Sequence, residues 1–548
     1  MNRKAIQLSA VALIALLSGA ASADAQAWFG QGLPPPVNDP SKGILQTVGT
    51  DLPAQPATFG PGPKSPLLAG PAIKKDLTTI VDFSLESKAS GDYLWGRVSG
   101  TPAYYKTVSW AVAQMKAAGL KDAHVEDFDA TLSIPTAGEA RILGDEGYGA
   151  GSKDVVLHST MVGGRGPVNG SVTAPMIYVG HGTAADLIGR DMTGKIAVLH
   201  TTPNPGLYSA DENGRPAQLI KAGAVGVIEI LEQPGNMQSF DADRHGCGTS
   251  LCVTVGGEDG YFLEGVLGKA AAAGKAVNAR LSSTATLRTG QRSGNGVATI
   301  PGKSKRTIII NAHADAWFVG ANDNAGGLAT LVALARYFAK QPQPEHTLVF
   351  VASAGHHTQG LGIPNFRLKH EADYVAPADL IINLEHLAAS GMVRSSTTTW
   401  NNFGRPFVPT TTEWPMSVAV SNRAPFLIDL WRHGARCFGL STQRVVDTTP
   451  PGELGSYNHI SRMAGALNPE GKSAYSQLKD VNDVPLTQMI ASTVFYHTTG
   501  ETVDSVPDEG LERAARFHAY LIAAADKATT AQLRGAPSTP DVNCPPTP

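Results

Sequence analysis

Apolar residues along this chain recur at two different periods, and the change of period divides it. From Asp76 onward, Leu77, Ile80, Val81 and Phe83 fall at helical spacing. A second helix is predicted from about Ala103 to Gly119, with Val108, Val112, Met115 and Leu120 on one face and Gly119 at the stop. From about Leu132 to Leu287 the chain turns to short β-rich runs cut by glycine: DVVLHS, APMIYVG, GKIAVLHTT and AVGVIEIL. One helical patch, PAQLIKAGA, lies between the last two, so this stretch predicts a compact strand-rich insert with few helices. After Arg292 strand and helix alternate. RTIIINAHAD reads as a buried strand, and DNAGGLATLVALARYFAK as a helix with Leu328, Leu331, Val332, Ala335 and Phe338 on its apolar face. HTLVFVASA, ADLIINLEHL and PMSVAVSN follow as strands. The alternation predicts an α/β fold, a mostly parallel sheet flanked by helices. In such sheets ligands bind beyond the C-terminal ends of the strands.

A chain of 548 residues exceeds one ordinary domain. The α/β domain is expected over 76–131 and 288–530, and the insert over 132–287. Residues 26–75, rich in Pro and Gly, are expected to form an extended leader, and 531–548 a disordered tail. Residues 1–25 read as a signal peptide. Arg3 and Lys4 precede the apolar run Val11 to Leu17, and Ala21-Ser22-Ala23 and Ala23-Asp24-Ala25 offer cleavage sites. That run is too short to span a bilayer, and no cysteine follows it. An exported protein, periplasmic or secreted, without a membrane anchor is expected.

The 42% hydrophobic and 17% charged shares are globular values, and a net charge of −3 without a basic stripe argues against a nucleic-acid partner. Export gives the four cysteines a meaning. Cys247 and Cys252 enclose GTSL and are plausible disulfide partners, with two buried thiols as the alternative. Cys437 and Cys544 either pair or stay free. The spacing lacks the two close pairs of a zinc site.

Metal-ligating residue types stand just past successive strand ends. His313 and Asp315 follow RTIII, and Asp323 lies in the glycine-flanked turn GANDNAGG. His356 and His357 follow HTLVFVASA, Glu385 and His386 follow ADLIIN, and His497 lies in VFYHTTGETVDSV. Each alone has a plainer reading: Asp323 as a helix N-cap, Glu385 as a salt-bridge partner, a histidine as a surface residue. Candidates at four successive boundaries point instead to a crevice for a zinc-class metal. A serine nucleophile at Ser353 in VASAG fails, because Val351 stands where that motif needs glycine.

The order H-x-D, G-A-x-D-N, a residue pair after the next strand, N-L-acid and Y-H-T resembles the co-catalytic di-zinc aminopeptidase and glutamate carboxypeptidase family. DYLWGRVSGTPAYYKTVSWAVAQMKAAGL is similar to that family's opening segment. GKIAVLHTTPN with QLIKAGAVGVIEI is similar to the protease-associated insert that many members carry. The resemblance covers nearly all of the mature chain. It implies a zinc-exopeptidase-like fold, two zinc ions and a peptide or small amide substrate. His313 would bind one ion, with Asp315 behind it fixing the ring. Asp323 would bridge the ions, Glu385 (where members usually have Asp) would complete the first set, and His497 would bind the second. Water held between the metals would attack the substrate carbonyl.

The chain departs from the family at His356-His357, where members carry a Glu-Glu pair of general base and ligand. Histidine at the second position can still bind zinc. At the first, His356 is the candidate base, although nearby cations would weaken it. A one-residue shift would instead place His357 as base and Thr358, a poor ligand, at the metal; the unshifted register is preferred. The site becomes less negative by about two charges, so one ion or none are the alternatives to two. The expected function is an exported metal-dependent hydrolase of peptide or amide bonds, an aminopeptidase or carboxypeptidase. The alternatives are a non-catalytic binding protein on a peptidase fold, its insert an interaction surface, and a hydrolase of a non-peptide amide or ester. His386 and His459 are further candidates near such a site, each expected to be structural rather than catalytic, and Ser390 to Pro415 is expected to wall the pocket.

Overall fold

Three apolar runs form the centre of the sheet. The strands Thr307–His313, Thr347–Ser353 and Ala378–Leu384 are buried over nearly their whole length. They are apolar without alternation because protein covers both faces. Ile308 and Ile310 enter one core with Leu328 and Leu331, while Ile309 enters another with Ile363 and Phe366. Thr307–His313 lies between the other two strands and runs parallel to both. Leu486–Ile490 extends the sheet in parallel beyond Ala378–Leu384, followed by Met416–Val420, antiparallel, and Thr442–Val446. Asn278–Ile300 closes the other side, antiparallel to Thr347–Ser353. The helices Gly70–Ala89, Pro102–Ala117, Gly327–Phe338 and Asp508–Lys527 contribute to the larger core. The mostly parallel α/β fold is as expected, and its central strands share a direction. His313, Ser353 and Leu384 therefore end at one edge.

This computed structural model describes residues 64–537, apart from 145–152, 164–168, 202–213, 234, 241–246, 359, 395–406, 414–415, 421–423, 441, 447–456, 458–483, 492 and 494. The signal peptide, Cys544, His459 and most of the leader and tail expectations lie outside the described residues. Two boundaries move. The first helix begins at Gly70, not Asp76, with a proline in its first turn. There a missing N–H is harmless, so a Pro/Gly-rich composition hid a helix start. Residues 531–533 belong to a helical turn, Thr530–Leu533, closed by the Thr529–Gln532 capping box. No helix among the described residues is long and apolar enough to cross a membrane.

His124–Ile142 and Asn278–Ile300 pair as a long antiparallel ribbon, from His124 opposite Val297 to Ile142 opposite Ala279. The ribbon leads from one core to another. Leu132 and Ile134 still pack in the first, whereas Ala140, Ile142, Ala279 and Leu281 pack in a second. Around the second core run the parallel strands Gly170–Tyr178, Ile196–Thr201, Gly226–Leu231 and Leu251–Val255. PAQLIKAGA forms the short helix Arg215–Lys221. A second helix, Gly257–Ala272, was not expected. Its Leu263, Val266 and Ala270 have helical spacing, but glycines at 257, 260, 265 and 268 lower its intrinsic helix propensity. Gly260 has a packing reason, since a Cβ there would lie 2.2 Å from Ile230. Cys247 and Cys252 are joined by a disulfide.

At the opposite ends of the central strands, His346 joins sheet to C-terminal helix. Its Nε2 lies 3.1 Å from Asp379 Oδ2 and its Nδ1 3.3 Å from Asp526 Oδ1. These hydrogen bonds raise the imidazole to about 9. Because the folded value exceeds the unfolded one, the stabilisation is full below pH ~6.5 and disappears as pH rises through the folded pKa. The thermal midpoint should therefore fall between pH ~6.5 and about 9, and His346→Gln should flatten that fall. Parallel curves for wild type and variant across the window would show that His346 does not link folding to pH.

Candidate metal centre

The parallel strand ends converge on one carboxylate. Between Ala316–Trp317, which pairs with Gly96–Arg97, and the helix Gly327–Phe338, the chain turns through Gly320 at φ +53°. A Cβ on Gly320 would lie 2.4 Å from Ala316 Cβ and 2.6 Å from the Asp323 carbonyl, so the turn requires glycine. Asp323 and Asn324 then depart from helical dihedrals, which aims the Asp323 carboxylate across the strand ends.

Each Asp323 oxygen faces its own pair of imidazoles. Oδ1 lies 3.0 Å from His313 Nε2 and 3.0 Å from His386 Nε2. Oδ2 lies 2.8 Å from His497 Nε2 and 3.1 Å from His357 Nε2. Glu385 joins the first pair, its Oε1 3.2 Å from His313 Nε2 and 3.5 Å from His386 Nε2. Asp323, Glu385 and these four histidine side chains are at most 5% exposed. His356 stacks on His313 with ring centroids 4.3 Å apart, its Nε2 3.9 Å from Glu385 Oε1, and its side chain is 19% exposed.

The electrostatics follow from this crowding. Burial alone would raise the carboxyls, but the imidazoles outweigh it, holding Glu385 and Asp315 at about 2 and Asp323 well below its ordinary value. Burial opposes charge on His313 and His386 as well, yet the facing carboxylates raise both. His356 is pushed down to about 3 by burial and then by the charge on His313. A ring nitrogen 2.8–3.1 Å from a carboxylate oxygen must carry a proton or share a cation with it. Four imidazoles aimed at one buried aspartate, with a second carboxylate beside them, are a donor set that suits zinc-class cations.

Residues 295–421 match the model of peptidase family M28. The M28 stretch holds all the strand-end candidates except His497. Among solved structures the chain is similar to a peptidase M28 precursor from Shewanella amazonensis SB2B, with TM-score 0.58 and 16% identity over 86% of this chain and 100% of that one. It is also similar to BSAP, a zinc aminopeptidase from Bacillus subtilis, with TM-score 0.53 and 17% identity over 85% of this chain and 98% of that one. At these identities the likeness is one of fold. Curated proteins give no match. The family match covers the segments that carry His313 to His386, and the solved structures share the fold around them.

The structure brings His313, Asp323, His357, Glu385 and His497 together, and the unshifted register is the one that carries His357 to Asp323. Asp315 touches the ligand-bearing segments instead of the centre. Its Oδ1 and Oδ2 accept the backbone N–H groups of His356 at 3.0 Å and His357 at 2.9 Å, and Oδ1 lies 3.5 Å from His313 Nδ1. His386, a further candidate from the sequence, also lies against Asp323. Its φ of +44° turns the backbone so that Glu385 and His386, neighbours in sequence, both reach the His313 side of Asp323. Of the expected pocket wall, 395–406 and 414–415 lie outside the described residues.

Three supports had no clear sequence signal. Glu501 accepts the Asp323 N–H at 2.5 Å, and burial together with the Asp323 charge pushes it up to about 7. Arg97, fully buried, donates to the carbonyls of Ala314, Val319 and Gly320 and to Ser84 Oγ at 2.7–3.1 Å, bracing the chain on either side of the Asp323 turn. The loop before Leu251–Val255 braces the His497 loop. Phe240 N–H donates to His497 O at 3.1 Å, and the Phe240 ring meets Trp317 edge-on at 4.8 Å. Trp317 in turn lies 5.5 Å from the His357 ring.

A lysine cannot reach four acceptors in the fixed fork of a guanidinium. Arg97→Lys should therefore lose about 2–4 kcal/mol of folding stability, as buried carbonyls lose their donors. An unchanged denaturation midpoint would show that Arg97 does not brace the turn.

Proposed function

We propose that the protein is an exported, metal-dependent hydrolase of peptide bonds, of exopeptidase type and with zinc as the metal. The observation that carries this reading is the Asp323 carboxylate, each of whose oxygens faces a separate group of nitrogen and carboxylate donors. His313, Glu385 and His386 would hold one cation, His357 and His497 the other, with Asp323 between them. Two divalent cations bound there supply Lewis acidity toward a carbonyl and a counter-charge for its developing negative oxygen.

The chain's own residues do the rest. Asp315 holds the His356-His357 backbone and limits the freedom of the His313 ring. His356 is the most exposed of the histidines that meet here, so a substrate would approach past it. Its imidazole is uncharged at neutral pH and can accept a proton, although it is a weaker base than an ordinary histidine. The Val11 to Leu17 run and the Cys247–Cys252 disulfide support export, since disulfides persist in oxidising compartments.

Purified protein should carry about two equivalents of zinc, lose activity with chelator and regain it with metal. Aminoacyl anilides, carboxypeptidase substrates and simple esters, compared side by side, would assign the bond cleaved. His356→Ala should lower kcat by on the order of 10²-fold with metal content unchanged. Failure to bind metal on reconstitution would remove the enzyme reading, and loss of metal in His356→Ala would place that residue among the ligands.

A further inference from the structure

We propose that the two halves of this centre are unequal: His313, Asp323, Glu385 and His386 close one site, whereas Asp323, His357 and His497 leave the other open. The proposal rests on the metal-hydrolase reading and adds to it a division of labour between the sites.

The distances set the case. Zinc bonds of ~2.0–2.1 Å to nitrogen and oxygen give a tetrahedron with edges of about 3.3–3.4 Å. Four edges of the first group are present: His313 to Asp323 at 3.0 Å, His386 to Asp323 at 3.0 Å, His313 to Glu385 at 3.2 Å and His386 to Glu385 at 3.5 Å. Four protein donors already at near-tetrahedral separations leave no position for water or substrate. Among the described residues the second group has three donors, with Asp323 Oδ2 2.8 Å from His497 Nε2 and 3.1 Å from His357 Nε2. Closed four-ligand sites are the pattern of structural zinc, and three ligands with a free position the pattern of catalytic zinc.

The fourth ligand is built in by the backbone. His386 adopts φ +44°, a region most side chains avoid. Its N–H donates to Asn324 Oδ1 at 3.3 Å, while Asn324 Nδ2 donates to Leu384 O at 2.8 Å and Ala491 N–H donates to His386 O at 3.1 Å. Residues on both sides of the centre thus hold a left-handed turn whose result is a second inward side chain next to Glu385. The closed site fixes Asp323 and contributes charge, and substrate binds on the His357–His497 side, with His356 beside it.

The test is stepwise loading of the metal-free full chain with cobalt(II), followed by absorption and by competition with a chelator of known affinity. One equivalent should give the intense visible absorption of four-coordinate cobalt, and a second should bind more weakly with the fainter spectrum of a site that admits water. His386→Asn keeps a residue that tolerates the left-handed backbone but cannot reach Asp323. It should weaken the tight site by roughly 10²-fold and remove the intense band. Two equivalents of equal affinity and similar spectra in the wild type would overturn the proposal while leaving the metal-hydrolase reading intact; this arm requires no variant. An unchanged tight constant and band in His386→Asn would overturn it as well. A wild type that binds no cobalt would overturn the metal reading itself.

Discussion

Everything at this centre depends on holding the Asp323 carboxylate, buried and charged, at equal reach of both groups of imidazoles. A displacement of one ångström would give up contacts on one oxygen to improve those on the other. Its backbone is therefore fixed from several directions. Glu501 takes its N–H, Arg97 holds the carbonyls of Val319 and Gly320 before it, and Asn324 ties the residue after it to Leu384. Gly320 supplies the one conformation that brings the turn under the strand ends. Burying so many ionisable groups is unfavourable unless each is compensated, and the arrangement persists because every member faces an opposite charge or a fixed dipole.

The parts of this design that repeat along the chain were legible in the sequence. Parallel strands must all end at the same edge, so polar residues after RTIII, VFVASA and ADLIIN could be gathered before any coordinates were known. His313 is the last residue of its strand, and Asp315, just beyond it, keeps Oδ1 3.5 Å from His313 Nδ1. His386 breaks strand alternation. Adjacent residues in an extended strand point to opposite sides, so alternation alone would send His386 away from Glu385. Only the left-handed backbone at His386 brings both inward, and nothing in the residue type announces it. His356 and His357 escape the rule in a similar way, after Gly355 at φ +67°.

Arg97 and Glu501 were illegible for another reason. The carbonyls that Arg97 holds and the Asp323 N–H that Glu501 accepts lie more than two hundred and more than one hundred and seventy residues away, respectively. Periodicity describes neighbours along one element and carries no information about such contacts. The strand-rich region shows the same gap. Sequence pattern offered it as an interaction surface, whereas its Phe240 both donates its N–H to His497 O and packs on the Trp317 ring beside His357. The ribbon His124–Ile142 with Asn278–Ile300 makes this possible, since one continuous strand pairing belongs to both cores. The region is thus mechanically part of the centre, whatever else its outer surface does.

The resemblance implies carboxylates where this chain has His356 and His357, and such an exchange has a consistent direction. Burial and the His313 charge leave His356 a weak proton acceptor, held down to about 3. A weak base at the mouth is compatible with rapid hydrolysis only when the reacting group is acidified strongly by its surroundings. Fewer carboxylates near the open side do this, because each negative ligand removed leaves more of a bound cation's charge unneutralised. The negative charge that remains is Asp323, shared by both sides, and Glu385, on the closed side alone. One end of the Asp323 bridge is then tightly compensated and the other left electron-poor. That polarity is what the proposed attack on a carbonyl would require of a centre with imidazoles at 356 and 357.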